Sequence, residues 1–143
     1  MSVFTRTLAF VLLFAPSLVQ SQSEGITKPG VSLELNSVQD VEGACRFTFL
    51  ADNSTGTSIE KAVFETVIFD TEGAVMRLSL FDFRALPEGR PRVRQFDVPG
   101  MACDTIGQAL INGTNSCIVN GAESGACSDG LTLTSRITMK LLG

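Results

Sequence analysis

The amino-acid sequence predicts an all-β protein that folds as a single antiparallel β-sandwich with two disulfides. Apolar and polar residues alternate along several short runs, which is the pattern of strands with one buried face. Turn-forming residues separate these runs at regular intervals, as they do in sandwiches. Four cysteines follow an N-terminal export segment, and two disulfides are the expected use of four cysteines in a short exported domain.

The predicted strands begin after a polar lead-in. They lie at 31–35, 45–49, 59–70, 74–83, 90–98, 117–119 and 131–142. Both faces of 59–70 carry apolar residues, so we expect this strand to be central in its sheet. The turn that follows it places Gly73 where a tight hairpin requires a positive φ. The segment 104–111 fits either a short helix or a strand.

The fifth predicted strand has an irregular pattern. Arg92 and Arg94 share their parity with Phe96, whereas Val93 falls on the opposite face. We expect a β-bulge near Gln95, because one extra residue would bring the apolar side chains to one face.

Residues 1–23 have the layout of a secretory signal peptide. A short first segment carries Arg6, an unbroken apolar run follows at 8–15, and small or polar residues come after it. The apolar run is shorter than the roughly 20 residues that a membrane helix needs. We therefore expect an exported chain with no integral membrane segment in its mature form.

Cleavage is expected after Ser21 or Ser23. It leaves a flexible lead-in at 24–30 and one sandwich domain at 31–143. Loss of Arg6 changes the net charge from −4 to −5, which argues against nucleic acid as a partner. The expected location of the mature protein is the periplasm or the cell exterior.

The cysteine spacing favours one of three possible disulfide patterns. Cys117 and Cys127 flank a loop at 118–126 that is rich in glycine, asparagine and serine, and a bond between them would order it. We prefer the pairs Cys45–Cys103 and Cys117–Cys127, and the other two connectivities stay open.

The chain has no histidine, and this excludes several classes of site. Ser-His and Cys-His nucleophile systems and imidazole metal sites all need one. No Cys-x-x-Cys pattern offers a zinc or redox site instead. We expect no catalytic activity, no cofactor and no metal.

One basic cluster stands out in this acidic chain, and it consists of Arg84, Arg90, Arg92 and Arg94. As a functional site, it would dock a partner rich in carboxylates or an anionic envelope polymer. As a purely structural feature, it would protect an edge strand from sheet-to-sheet aggregation by its charge.

Two Asn-x-Thr sequons, at Asn53 and Asn112, also allow two interpretations. Each is a glycosylation acceptor in a eukaryotic secretory pathway and a turn residue in a bacterial protein.

A series of strand and turn features between residues 53 and 96 resembles a known family. The features are Asn53 and Gly56 in a polar turn, the pair Phe69-Asp70, the hairpin residue Gly73, the turn 86–89, and Phe96. They resemble small bacterial extracytoplasmic domains with an immunoglobulin- or fibronectin-like sandwich, one group of which is named for a Phe-x-Leu-Tyr-Asp motif. Here Thr66, Ile68 and Phe69 replace the two aromatic residues and the leucine of that motif.

The resemblance implies an immunoglobulin-like sandwich and a binding or structural module without a reaction. The cysteine-bearing C-terminal portion is similar to uncharacterised periplasmic proteins of alphaproteobacteria. We therefore expect a non-catalytic, exported binding or accessory protein of the cell envelope that contacts a protein partner. Two alternatives stay open: a structural subunit that assembles by strand addition through 131–142, and an inhibitor of an extracellular enzyme that presents the loop 118–126.

Overall fold

The computed structural model describes residues 28–143, which form two β-sheets. The predicted signal peptide at 1–23 and the lead-in residues 24–27 lie outside the described residues. The strands are β1 (Val31–Val41), β2 (Ala44–Asn53), β3 (Ile59–Asp70), β4 (Val75–Leu86), β5 (Arg92–Pro99), β6 (Ile106–Val119), β7 (Ala122–Glu123), β8 (Thr132–Ser135) and β9 (Lys140–Leu142). Short 3-10 turns occupy Cys103–Thr105 and Gly125–Cys127.

The two sheets pack as a sandwich. The first sheet has the order β5-β2-β1-β8, and the second has the order β4-β3-β6, with β7 and β9 both pairing with β6. Neighbouring strands are antiparallel except for β1 with β8 and β6 with β9, which are parallel. The orders β5-β2-β1 and β4-β3-β6 match strands E-B-A and C′-C-F of immunoglobulin-like sandwiches. The predicted fold class is confirmed.

Phenylalanine rings from both sheets fill the centre of the sandwich. Phe47, Phe49 and Phe96 come from the first sheet, and Phe64, Phe81 and Phe83 come from the second. The Phe81 and Phe96 rings stack with their centroids 4.3 Å apart and their planes 5° from parallel. Such aromatic pairs add about 0.5–1.5 kcal/mol beyond the area that they bury. Because Phe81 is on β4 and Phe96 is on β5, this stack holds the outer strands of the two sheets together.

The segment 104–111 is not a helix. The 3-10 turn ends at Thr105, and β6 begins at the next residue and pairs with β3 along most of its length. Ala109 and Ile111 are buried in the core as strand residues. The strand alternative for this segment is confirmed, and the helix alternative is wrong.

The predicted bulge near Gln95 is also wrong, because β5 pairs with β2 without a register shift. Arg92 and Arg94 therefore lie on the same side of β5 as Phe96, the side that faces the other sheet. All three residues are half-buried, because this side of the sandwich is open between β4 and β5. An inward-facing arginine there reaches polar atoms at the edge of the second sheet.

The predicted strand at 131–142 is two strands that belong to different sheets. Between β8 and β9 the Ser135 hydroxyl donates to the Met139 carbonyl at 2.6 Å and accepts from the Ile137 N–H at 3.3 Å. The alternation of apolar and polar residues continues through this turn, and both Met139 and Leu141 are buried. The alternation therefore did not reveal the change of sheet.

Both preferred disulfides are present. Cys45–Cys103 links β2 to the 3-10 turn before β6, and Cys117–Cys127 links β6 to the second 3-10 turn. Cys45, Cys117 and Cys127 are fully buried, so both bonds are parts of the core.

Candidate functional site

The candidate site is a groove between β4 and β5, which are the outer strands of the two sheets on the same side of the sandwich. The groove has a volume of about 490 Å³. Its lining consists of Leu80, Asp82, Arg84, Val93, Arg94, Gln95 and Phe96. Two of the four arginines singled out in the sequence thus lie in one groove.

Arg94 bridges the two strands that form the groove. Its Nε donates to the Phe83 carbonyl at 2.6 Å, and its Nη2 donates to the Ala85 carbonyl at 3.0 Å. Both carbonyls belong to β4, whereas Arg94 belongs to β5. Burial lowers the pKa of Arg94, the positive charges of Arg92 and Arg84 lower it further, and the negative charge of Asp82 partly opposes them. Arg92 and Arg84 are therefore both close enough to Arg94 for their charges to repel it.

Arg84 holds an unusual backbone conformation. Its φ is 60°, which is uncommon for a residue other than glycine, and its N–H donates to the Asp82 carboxylate at 2.7 Å. The register of β4 against β3 shifts at this position. The side chain is exposed at the groove. Strained conformations of this kind recur at functional sites, so Arg84 merits a test.

Arg92 and Arg90 have different positions. Arg92 is half-buried beside Arg94 on the inward side of β5, and its Nη1 donates to the Pro91 carbonyl at 3.1 Å. Arg90 lies before β5 in an exposed turn and does not line the groove. The strand predicted at 90–98 included Arg90, and this start is wrong because β5 begins at Arg92.

The cluster has no carboxylate within salt-bridge distance among residues 28–143. The only ion pair in this part of the chain joins Arg46 and Asp97, with Nε and Oδ1 2.7 Å apart. Asp82 lines the groove, but its Oδ1 accepts the hydrogen bond from the backbone N–H of Arg84. The groove lining therefore holds two guanidinium groups and one carboxylate, and with Arg92 beside Arg94 the site has an excess of positive charge.

Exposed apolar side chains border the groove on both sides. Leu78 and Leu80 on β4 are 55% and 53% exposed on the outer face of the second sheet. Val93 on β5 is 59% exposed on the outer face of the first sheet. Exposed apolar surface beside concentrated charge is typical of protein interaction sites. The sequence showed the alternation in β4, but it did not show that this face would remain uncovered.

A larger cleft, of about 540 Å³, lies beside the Cys45–Cys103 disulfide. Its two carboxylate side chains are Asp40 and Asp104, and Asp40 already accepts a hydrogen bond from the Cys103 N–H at 2.7 Å. The polar side chains that line it are all exposed. Nothing in this cleft points to a ligand, whereas guanidinium groups outnumber carboxylates in the lining of the arginine groove.

The two sequons have different surroundings. Asn53 is buried, and its Nδ2 donates to the carbonyls of Thr57 and Leu86 at 2.8 and 2.7 Å. Asn112 is exposed, and its amide donates to the Glu65 carboxylate. Asn53 therefore serves as an internal support of the turn after β2.

The loop 118–126 is folded back on β6. It contains the short strand β7, and the Glu123 carboxylate accepts from the Cys117 N–H and the Ser116 hydroxyl, both at 3.1 Å. Within residues 28–143, no three metal-binding side chains come close enough to hold an ion. No helix in the same range has the length and apolar character to cross a bilayer.

Comparison of the chain with models of protein families, with curated proteins and with solved structures gave no match.

Proposed function

We propose that this chain is a non-catalytic, exported binding protein of the cell envelope, and that the groove between β4 and β5 contacts a protein partner. The observation that carries the proposal is the excess of guanidinium groups over carboxylates at Arg84, Arg92 and Arg94. Partial burial and the charges of Arg92 and Arg84 disfavour the charged form of Arg94, so the cluster gains free energy when an anionic group enters it. The two disulfides are consistent with an oxidising compartment.

The two alternative functions have less support. Residues 131–142 supply β8 and β9 to the sandwich itself, so they are not free to serve as a donor strand. The loop 118–126 is held against β6 by the contacts of Glu123, which reduces the surface that it offers to an enzyme cleft.

Affinity capture from the native envelope fraction tests the proposed function with two charge-matched double variants. The groove variant carries Arg84→Asp in the groove lining and Arg92→Glu beside Arg94. Aspartate is chosen at 84 because it tolerates a positive φ, and Arg94 is left in place because it links the two sheets. The control variant carries Lys61→Glu and Arg136→Glu, which replace exposed cations outside the groove.

Both variants have the same net charge, so a general effect of charge would change the recovery of a partner equally in the two. We expect the groove variant to lose the partner that wild type captures, by at least about tenfold in recovery, and the control variant to retain it. Equal recovery by the groove variant and wild type would remove the groove from the binding surface.

A further inference from the structure

The free edge of β4 is the feature from which a specific mode of binding follows. Among residues 28–143, β4 pairs with β3 alone, so within this range its other edge leaves backbone N–H and C=O groups of a 12-residue strand without a strand partner. Its segment 75–82 contains no proline or lysine, and its only arginine, Arg77, is half-buried. The protections that this segment does carry are the inward-facing Arg77 and a register shift at Met76, so the stretch from Arg77 to Asp82 is the regular part of the edge.

The edge strands of the first sheet, unlike β4, carry strong protection against pairing. β8 is only four residues long, and β5 follows Pro91 and ends with Pro99. Short length and proline are both recognised protections of an edge strand. In the second sheet, the other outer strands, β7 and β9, have two and three residues. The segment 75–82 of β4 is therefore the longest edge without proline among the described strands.

Arg94 indicates how an added strand would bond to this edge. Two of its N–H groups donate to the Phe83 and Ala85 carbonyls of β4. These N–H groups take the place of the backbone donors that a neighbouring strand would supply. The C-terminal end of the edge is thus already capped. The open stretch stops at Asp82, so an incoming strand would end beside the guanidinium groups.

The side chains on the two faces of such a strand would have different surroundings. On the outer face they would lie beside Leu78 and Leu80, which are more than half exposed. On the groove side they would lie near the half-buried Arg77 and, at the end of the strand, near Arg84 and Arg94, and none of these three arginines has a carboxylate within salt-bridge distance among residues 28–143. Successive residues of a strand point to opposite faces, so the complementary sequence alternates apolar and acidic residues.

We propose that the β4 edge at 75–82 accepts an extended, alternately apolar and acidic segment of a partner protein as an additional strand. This inference rests on the proposed function, and it specifies the chemistry and the conformation of the partner segment. Backbone hydrogen bonds would supply part of the affinity, and the arginines would select the acidic side chains.

Three synthetic octapeptides test the inference on the folded, oxidised domain. The first is a capped peptide that alternates valine and glutamate. The second has the same sequence with N-methyl groups on alternate backbone amides, which removes strand hydrogen bonds and keeps the charge. The third has the same composition with four glutamates followed by four valines. Calorimetric titration measures affinity, and amide hydrogen exchange locates the bound strand.

We expect the alternating peptide to bind with a Kd below about 1 mM and to slow exchange within 75–82. The N-methylated and block peptides should bind at least about tenfold more weakly. Leu78→Ser should weaken binding of the alternating peptide severalfold. Leu142→Ser is the matched control, because Leu142 is 38% exposed on the same face but belongs to β9 on the far side of the sheet. It should leave binding unchanged.

Equal binding of the N-methylated and unmodified peptides would overturn strand addition and leave the cationic groove as a binding site. Absence of binding by the alternating peptide at about 1 mM would overturn strand addition as well. The capture experiment would then decide the proposed function separately. Recruitment of the domain to phosphatidylglycerol vesicles without any peptide binding would also overturn it, in favour of a lipid surface.

Discussion

At the scale of single residues, Asn53 shows how one buried amide holds a turn between the two sheets. Its Oδ1 accepts from the N–H and the hydroxyl of Thr55, and its Nδ2 donates to the carbonyls of Thr57 and Leu86. Its side chain therefore makes four hydrogen bonds while it is only 1% exposed. Buried polar groups that lose their partners cost about 1–3 kcal/mol each.

Replacement of Asn53 by alanine should therefore lower the free energy of unfolding by about 2–4 kcal/mol, because it leaves the Leu86 carbonyl unsatisfied in the core. Urea denaturation measures the change. Asn112→Ala is the control, and since Asn112 is exposed it should change the free energy by less than about 0.5 kcal/mol. Equal effects of the two substitutions would contradict the role assigned to Asn53.

The exposed pair Arg46–Asp97 gives a second prediction, on pH dependence. The hydrogen bond from Arg46 is the main cause that lowers the pKa of Asp97 below its ordinary value of 3.8. A carboxylate with a lowered pKa contributes stability above its unfolded pKa, and that stability is lost as the pH falls through the folded pKa. Asp97→Asn should therefore lower the Tm slightly at about pH 7 and not at about pH 2.

The effect should be small because both side chains are solvent-exposed. Glu42→Gln is a suitable control, since Glu42 lies in an exposed turn outside this ion pair. A Tm difference between wild type and Asp97→Asn that stays constant down to about pH 2 would argue against a stabilising ion pair.

At the scale of the elements, Arg94 links two strands that belong to different sheets. The stacked Phe81 and Phe96 rings join β4 and β5 below the groove, and Arg94 joins them at its surface through two hydrogen bonds. A charged donor makes these bonds stronger than neutral ones. The arginine cluster thus includes one residue with a structural role and others whose charges remain available.

Arg94→Met should lower the free energy of unfolding by about 1–2 kcal/mol, because it keeps the apolar stem and removes the hydrogen bonds to β4. Arg92→Met should cost less than about 0.5 kcal/mol, since within residues 28–143 the Arg92 side chain donates only to the adjacent Pro91 carbonyl. Urea unfolding of both variants distinguishes the two roles. A larger effect at Arg92 than at Arg94 would reverse the assignment.

The sequence predicted most of the strands, because alternation and turn chemistry are local properties. It failed at Gln95, where the bulge was inferred on the assumption that an inward-facing side chain must be apolar. At the open side of a sandwich, Arg94 can face inward and still reach backbone carbonyls. The sequence also could not show that Leu78 and Leu80 would stay exposed. Both faces of β4 carry apolar residues, and only packing decides which face is covered.

At the scale of the whole molecule, the two disulfides contribute on the order of the total stability of a small domain. Cys117–Cys127 has a sequence separation of 10 and Cys45–Cys103 a separation of 58. The chain-entropy model gives about 3 kcal/mol for the shorter loop and about 4 kcal/mol for the longer one. Domains of this size are stable by about 5–15 kcal/mol, so loss of both bonds removes a large part of the total.

The last prediction concerns these bonds one at a time and together. Cys117→Ala with Cys127→Ala should lower the free energy of unfolding by about 3 kcal/mol, and Cys45→Ala with Cys103→Ala by about 4 kcal/mol. Full reduction should leave a substantial unfolded population at 37 °C, which circular dichroism and thiol labelling without denaturant both detect. The first sheet and the second depend on different bonds, since Cys45 is on β2 and Cys117 is on β6. A reduced chain that keeps its sandwich and protects its thiols would show that the phenylalanine core alone is sufficient, and the link between this fold and an oxidising compartment would then fail.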